Sequence, residues 1–291
     1  MEDHTKIENI TIFWGRQEGA LIYSNSIVVD CGRDKVIIDP SAESDGLKEL
    51  SGQGASIVNS HYHGDHRRLN YLFTNSEFFA PELDAPMLES NEQFIDAVGI
   101  EDTEVKNQWL DAVKNLYNIV EHRIAGTFKD GEYVIDRSYG IKAVGLPGHT
   151  QGHSGFFIES ASLTILTDID LTRFGPWYGN EASDIDAFLD SIEKAKHVQS
   201  KYFMSSHTNQ IYTREQIVPL LDQFASYISR RERQILGLID MHGPLSLEQM
   251  SRYGIIYPKS SLDNNPALAF FEKKMLEKHL KRMHIAYDGR L

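Results

Sequence analysis

Cysteine is almost absent from this chain: Cys31 is the only one in 291 residues. One thiol cannot build an internal disulfide framework or a multi-cysteine zinc cluster. Any metal site must therefore be made from histidine and carboxylate side chains. Long hydrophobic runs are missing too. No apolar stretch approaches the roughly 20 residues that span a bilayer, so no membrane partner is expected. The first residues, Met1 to His4, begin acidic and lack the basic and then apolar blocks of a secretory signal, which makes a cytoplasmic location the expectation. Positive charge is also scarce, with 29 Lys and Arg against 42 Asp and Glu and a formal net charge of −13. The shortfall is uneven. Residues 214–291 hold 12 basic and 9 acidic side chains, a net of +3, while residues 1–213 hold 17 and 33, a net of −16. An acidic body repels polyanions at long range, which disfavours nucleic acid as a partner and favours a small molecule.

What is present is an ordinary globular composition, 41% hydrophobic and 24% charged, with room for one large domain and a small appendage. Short β-branched or apolar runs at 10–14, 26–29, 35–38 and 55–60 read as strands separated by turn residues such as Gly32 and Asp34. Residues 83–122 switch to helical spacing, with Met87, Leu88, Phe94, Ile95, Val98, Trp109, Leu110, Val113 and Leu116 as the apolar positions. Strands return at 133–135, 141–144, 155–158, 163–166 and 201–204, interrupted by a helix over 183–197 capped by Ser183 with Asp186. Beyond 213 the pattern is helical, over 214–227, 229–241, 246–253 and 265–283, with Ser246 and Gln249 as a capping box. The close, Ile285 to Arg290 around Asp288-Gly289, suggests a terminal hairpin. Residues 214–291 are thus either a winged helix or a plain helical cap. The expected division is 1–213 as catalytic domain, with a helical insertion at 83–122, and 214–291 as the appendage.

Chemistry concentrates in Ser60-His61-Tyr62-His63-Gly64-Asp65-His66, which places four metal-ligating side chains in six residues after a buried strand. In extended chain, i and i+2 face the same way, so His61 and His63 can grip one ion. A turn at Gly64 then lets Asp65 and His66 address a second. Three later segments each end a strand with a ligand: His149 in a Gly-rich loop, Asp168 after Thr164–Thr167, and His207 after Met204. Loops at strand ends can converge on one edge of a sheet. Five imidazoles and two carboxylates suit zinc, and also iron or manganese.

These residues resemble the metallo-β-lactamase superfamily over residues 10–210. His61-x-His63-x-Asp65-His66 is similar to its signature, His149, Asp168 and His207 follow at its remaining ligand positions, and Lys35 to Asp39 matches its early strand ending in aspartate. The resemblance implies an α/β fold, an αββα sandwich of two mixed sheets flanked by helices, followed by the C-terminal helical region. It implies two divalent metal ions per chain. His61, His63 and His149 would hold one, Asp65, His66 and His207 the other, with Asp168 bridging. It also implies a metal-dependent hydrolase whose ions share and activate a water as hydroxide, with Asp65 relaying the proton and Asp39 orienting the ligands from behind. Asp170 competes with Asp168 for the bridge, and Asp168 is preferred. His153 is read as supporting the site, and His4, His122, His197, His242, His279 and His284 as surface or packing residues.

Two features depart from the family. Arg67-Arg68 follow His66, either to attract an anionic substrate or as surface charges. Phe174, Trp177 and Tyr178 follow the bridging aspartate, where they are expected to line the mouth of the site unless they merely pack. The expected reaction is hydrolysis of a small ester, thioester or lactone. The alternatives are a phosphodiesterase acting on RNA and a non-catalytic, metal-retaining binding or signalling protein. A homodimer is left open.

Overall fold

The computed structural model describes residues 4–19 and 23–288. Two mixed sheets face each other. The first runs in sequence order through β1 (His4–Ile7), β2 (Ile10–Phe13), β3 (Ser26–Asp30), β4 (Lys35–Ile38), β5 (Ser56–Val58), β6 (Phe78–Pro81) and β7 (Ile124–Phe128). Its first four strands are antiparallel and the last four parallel. The second contains β8 (Ile141–Gly145), β9 (Ser154–Ile158), β10 (Leu163–Ile165), β11 (Tyr202–Met204) and β12 (Ile211–Thr213), with only β10 and β11 parallel.

Period-two alternation divides the apolar residues between the two faces of each sheet. Ile27, Val29, Val36, Ile38 and Val58 point inward and meet Ala143, Phe156, Ile158, Leu163, Ile165 and Met204 of the facing sheet. Their neighbours Val28, Ile37 and Ile57 point outward and pack under Leu47, Leu69 and Phe73. On the far side, Val144, Leu166 and Phe203 are covered by helices. This is the expected αββα sandwich. Each such side chain contributes about 1.5–3 kcal/mol by leaving water.

The helices are α1 (Arg16–Gly19), α2 (Asp45–Lys48), α3 (Ala85–Glu89), α4 (Asn91–Asp96), α5 (Thr103–Tyr117), α6 (Ile185–His197), α7 (Arg214–His242), α8 (Leu247–Ser251), α9 (Lys259–Leu262) and α10 (Pro266–Arg282). Several depart from the sequence reading. The region 83–122 breaks into α3, α4 and α5, because Ser90 and Asp102 each accept a hydrogen bond from the new first turn and restart the helix. Residues 133–135 contribute only an isolated bridge, Tyr133 with Lys142. The cap of α6 is Asp184, whose carboxylate accepts from the Ala187 amide, and Ser183 instead donates to the His149 carbonyl. The two helices expected over 214–241 are one. The Ser246–Gln249 capping box is present. The expected terminal hairpin reaches Gly289 and Arg290, which lie outside the described residues.

The C-terminal helices share an apolar cluster with the second sheet. Ile217, Leu221, Phe224, Met275, Leu276 and Leu280 pack with Leu146, Leu166, Phe188 and Phe203. Within this cluster His279 is fully buried and accepts a hydrogen bond from the Tyr178 hydroxyl at 2.6 Å. Burial, with Arg231 and Arg282 nearby, pushes its pKa down to about 3. Glu232 lies 3.5 Å from Nδ1, a spacing that would favour the charged ring. Arg282 already engages that carboxylate, so we take His279 as neutral. A depressed folded-state pKa stabilises the protein above the ordinary value of 6.5, and the contribution is lost as pH falls from there towards 3. His279→Gln keeps an acceptor for Tyr178. It should therefore remove about 2 kcal/mol of the stability lost between pH 7 and pH 5, read by urea unfolding at both pH values. An unchanged loss would mean that the ring is charged in the fold.

Candidate metal centre

Every candidate ligand sits just beyond the C-terminal end of a strand. β8, β10 and β11 run in the same direction, so the loops carrying His149, Asp168 and His207 open on one edge of the second sheet. His61 to His66 follow β5 of the first sheet and turn at Gly64–His66. The seam between sheets is stitched by backbone and side-chain bonds. The Ser154 amide donates to the Ser60 carbonyl at 3.1 Å and the Asn25 amide to the Ser206 carbonyl at 2.8 Å. The Asn25 side-chain amide also donates to the Ser205 carbonyl at 3.1 Å. Gly64 has a steric reason: a Cβ there would sit 2.5 Å from the Tyr117 ring of α5. Gly148 has two, a φ of +127° and a would-be Cβ 2.3 Å from the Phe188 backbone nitrogen.

The chain brings seven side chains into two groups: His61, His63, His149 and Asp168, and beside them Asp65, His66 and His207. Within the first, His63 Nδ1 lies 3.0 Å from His61 Nε2 and 2.8 Å from His149 Nε2. Asp168 stands between the groups. Its Oδ2 is 3.0 Å from His149 Nε2, while its Oδ1 is 2.9 Å from His66 Nε2 and 3.4 Å from His207 Nε2. Asp170 is in neither group. Its carboxylate accepts from the Thr172 amide at 2.7 Å, and burial pushes it up to about 6.

Bonds from the outer nitrogens fix the orientation of three of the rings. His149 Nδ1–H donates to the Trp177 carbonyl at 2.9 Å, and His66 Nδ1–H to Asp39 Oδ2 at 2.8 Å. The Ser60 hydroxyl donates to Asp39 at 2.6 Å, which leaves it to accept from His61 Nδ1–H at 3.0 Å. The Asn180 Nδ2–H donates to His63 Nε2 at 2.6 Å, which leaves the His63 proton on Nδ1, between His61 Nε2 and His149 Nε2. His61 and His149 therefore turn their Nε2 lone pairs inward, towards the His63 ring between them. His66 Nε2 and Asp168 Oδ1 are buried, face each other at 2.9 Å, and find no other hydrogen-bond partner among the described residues. This donor set fits divalent cations.

The electrostatics divide the rings into two kinds. Burial and the neighbouring imidazoles hold His61 and His63 well below the usual histidine range. Burial opposes charge on His66 and His207 as well, but Asp168 reverses it and raises both, His207 to about 9. Burial likewise opposes ionisation of Asp168, and the surrounding imidazoles, His66 foremost, overcome it. His153 stays outside the groups. Its Nδ1–H donates to the Leu146 carbonyl at 2.7 Å, and its Nε2 accepts from the Asp168 amide at 3.1 Å, which fixes the loop bearing that carboxylate.

Other expectations need correction. Arg67 is 1% exposed and reaches neither solvent nor a surface. Tyr178 is fully buried, its hydroxyl between His279 and Arg231. Phe174 packs on the Arg231 guanidinium and the Tyr257 ring. Of that loop only Trp177 touches the centre, its ring against His63 and His149.

Several supporting residues escaped the sequence reading. Buried Asp84 accepts from the Thr150 hydroxyl at 2.6 Å and the Gly152 amide at 2.8 Å, bracing the His149 loop. Arg231 of α7 donates to the carbonyls of Phe174 and Pro176, both at 2.6 Å, and Tyr257 accepts from the Trp177 indole at 2.7 Å. Tyr257 is held in turn by Glu272 of α10, whose carboxylate accepts the amides of residues 255–257.

Neither a family model nor a curated protein matches the sequence. Solved structures do. A metallo-β-lactamase family protein of Thermus thermophilus superposes with a TM-score of 0.66 at 17% identity, covering 90% of this chain and 88% of its own. A β-lactamase domain protein of Burkholderia ambifaria gives 0.64 at 12% identity, covering 97% and 87%. The DIM-1 metallo-β-lactamase gives 0.53 at 17%, covering 77% and 94%. The chain has the metallo-β-lactamase fold, as its motif led us to expect.

Two substitutions separate the carboxylates. Asp168→Asn should weaken zinc binding by at least about 100-fold, whereas Asp170→Asn should change it little, as read by chelator competition. The reverse order would reassign the bridge. Arg231→Gln, far from any ligand in sequence, should weaken binding by about 10-fold through the Trp177 carbonyl.

Proposed function

We propose that this protein is a metal-dependent hydrolase acting on a small ester, thioester or lactone, with two divalent ions per chain. The observation that carries the proposal is the convergence of six donors around a seventh, Asp168, which presents one oxygen to His149 and the other to His66. Zinc is the first choice of metal, with iron and manganese compatible with the same donors. Bound divalent cations supply Lewis acidity, which activates water and polarises an acyl carbonyl. The protein's own residues do the rest. His61, His63 and His149 would hold one ion, Asp65, His66 and His207 the other, and Asp168 both. Asp65 is the carboxylate that takes the proton released on attack and returns it to the leaving group. Asp39 keeps His66 and, through Ser60, His61 turned inward.

The surroundings favour an apolar acyl substrate over a polyanion. Trp177 against the imidazoles contacts Phe271 of α10 at 5.1 Å, and Phe271 contacts Trp109 of α5 at 5.3 Å. This aromatic wall joins the insertion, the C-terminal helices and the metal groups. We accordingly take 1–213 as the catalytic unit and 214–291 as the part that completes its wall. No free basic face flanks the wall at 67–68, since Arg67 is buried and Arg68 is paired with Glu43 at 2.8 Å. That weighs against RNA, and the complete donor set weighs against a purely binding role. No helix among the described residues is long and apolar enough to cross a membrane.

Protein purified without chelator should contain close to two transition-metal ions per chain and hydrolyse members of an ester, thioester and lactone panel. Phe271→Ala should raise KM for hydrophobic acyl substrates by about 10-fold with kcat little changed, the order expected for one aromatic contact. Metal-dependent RNA cleavage that weakens steeply with salt, alongside inertness towards acyl substrates, would replace this reading with the phosphodiesterase one.

A further inference from the structure

Behind the metal groups lies a buried charge with no answering charge among the described residues. Arg67 lies next to His66 in sequence, yet its guanidinium turns away, over the ring of Phe94 in α4, 4.8 Å from its centroid. None of its three nitrogens finds a hydrogen-bond partner among the described residues. The other arginines here show what is missing. Arg231, also buried, donates to two carbonyls and a hydroxyl, and Arg68 is paired with Glu43. Around Arg67 the titratable groups close enough to interact are Tyr62 and His122, and neither is a carboxylate. His122 lies flat on Phe78 at 3.9 Å, with its Nε2 buried and likewise unpartnered. The local inventory is therefore five guanidinium N–H donors, a ring nitrogen that can carry a proton, and aromatic walls.

A guanidinium stays charged, and a buried charge without a partner is among the most costly arrangements a fold can hold. A cation–π contact with one ring offsets part of that cost. Water could satisfy N–H groups but brings no opposite charge. We infer that Arg67 and His122 form a binding site for a small monovalent anion, a halide or a lone carboxylate such as formate, walled by Phe94, Phe78 and Tyr62. The site is separate from the metal groups. It would fasten α4 and the segment before β7 to the loop that carries His61 to His66.

The test uses the full-length, metal-loaded protein and thermal unfolding at constant ionic strength. Gluconate, too large for the site, is replaced stepwise by chloride, bromide or formate. The expected result is a saturating rise of about 5 °C at one hundred times the dissociation constant. Metal content is measured in the same samples, so that anion binding at the metals is not mistaken for it. Arg67→Met should abolish the rise and leave metal content unchanged. Formate without a halide effect would identify a carboxylate site, and a halide effect without formate a spherical-anion site; either supports the proposal. A rise that survives in Arg67→Met, or no rise with any of the three anions, overturns it. Should Arg67→Met fail to fold, wild-type crystals soaked in bromide decide. Anomalous density within hydrogen-bonding reach of the guanidinium supports the site, and water alone there, with formate also without effect on unfolding, overturns it.

Discussion

The constraint on which the rest of this structure depends is mutual repulsion in the centre. Five imidazoles and two carboxylates present their lone pairs to one small volume, with inner nitrogens 2.8–3.0 Å apart. Apart from the pull of Asp168 on His66 and His207, nothing in such a cluster draws its members together until a cation lies between them. Each side chain must therefore be held from the outside, and the fold can be read as the set of holds. Asp39 is the hub on the first sheet, bonded to the Ser60 amide, the Ser60 hydroxyl and His66. It sits at a positive φ of 49° at the end of β4, a conformation that Asp tolerates better than most residues. For the ligands of the second sheet, His153 and, from the loop after β6, Asp84 do the corresponding work on Asp168 and His149.

A third set of holds comes from the C-terminal helices. They bury one side in the apolar cluster they share with the second sheet, and from there Arg231 and Glu272 reach the loop over residues 174–178. The Trp177 carbonyl that orients His149 is held through the two carbonyls just before it, those of Phe174 and Pro176, and through the bond of its own indole to Tyr257. The same loop brings the Trp177 ring against the imidazoles and Phe271 against Trp177. Ligand orientation and the chemistry of the wall thus draw on one short segment, and a change in either disturbs the other.

Much of this was legible in the sequence, for physical reasons that can be named. The two sheets were visible because β-branched runs alternate with turn residues. Four candidate ligands were visible because they fall within six positions, and three more because each ends a strand. The holds were harder. Asp84, Asn180 and Arg231 are ordinary residue types whose partners lie tens of positions away, for example 117 for Asn180 and His63. No local pattern marks them. Tyr178 was misplaced because an aromatic residue in a Gly- and Pro-containing loop looks exposed, and only the Arg231 and His279 contacts show that it points inward. Arg67 was misplaced for the same reason in reverse, since charge suggests a surface. The split of 83–122 into three helices turned on Ser90 and Asp102, whose capping role competes with an apolar spacing that reads straight through them.

The loop over residues 174–178 also has a consequence for the order in which a living cell makes this molecule. The last candidate ligand, His207, leaves the ribosome well before Arg231 and Glu272 do. During that interval a nascent chain holds every metal-ligating residue but not the groups that aim His149. Ion capture in that interval would therefore be loose and reversible, and tight retention would await the emergence of Arg231 and Glu272. A chain cut short by a premature stop between 208 and 230 would keep the whole motif and still be a poor competitor for scarce metal.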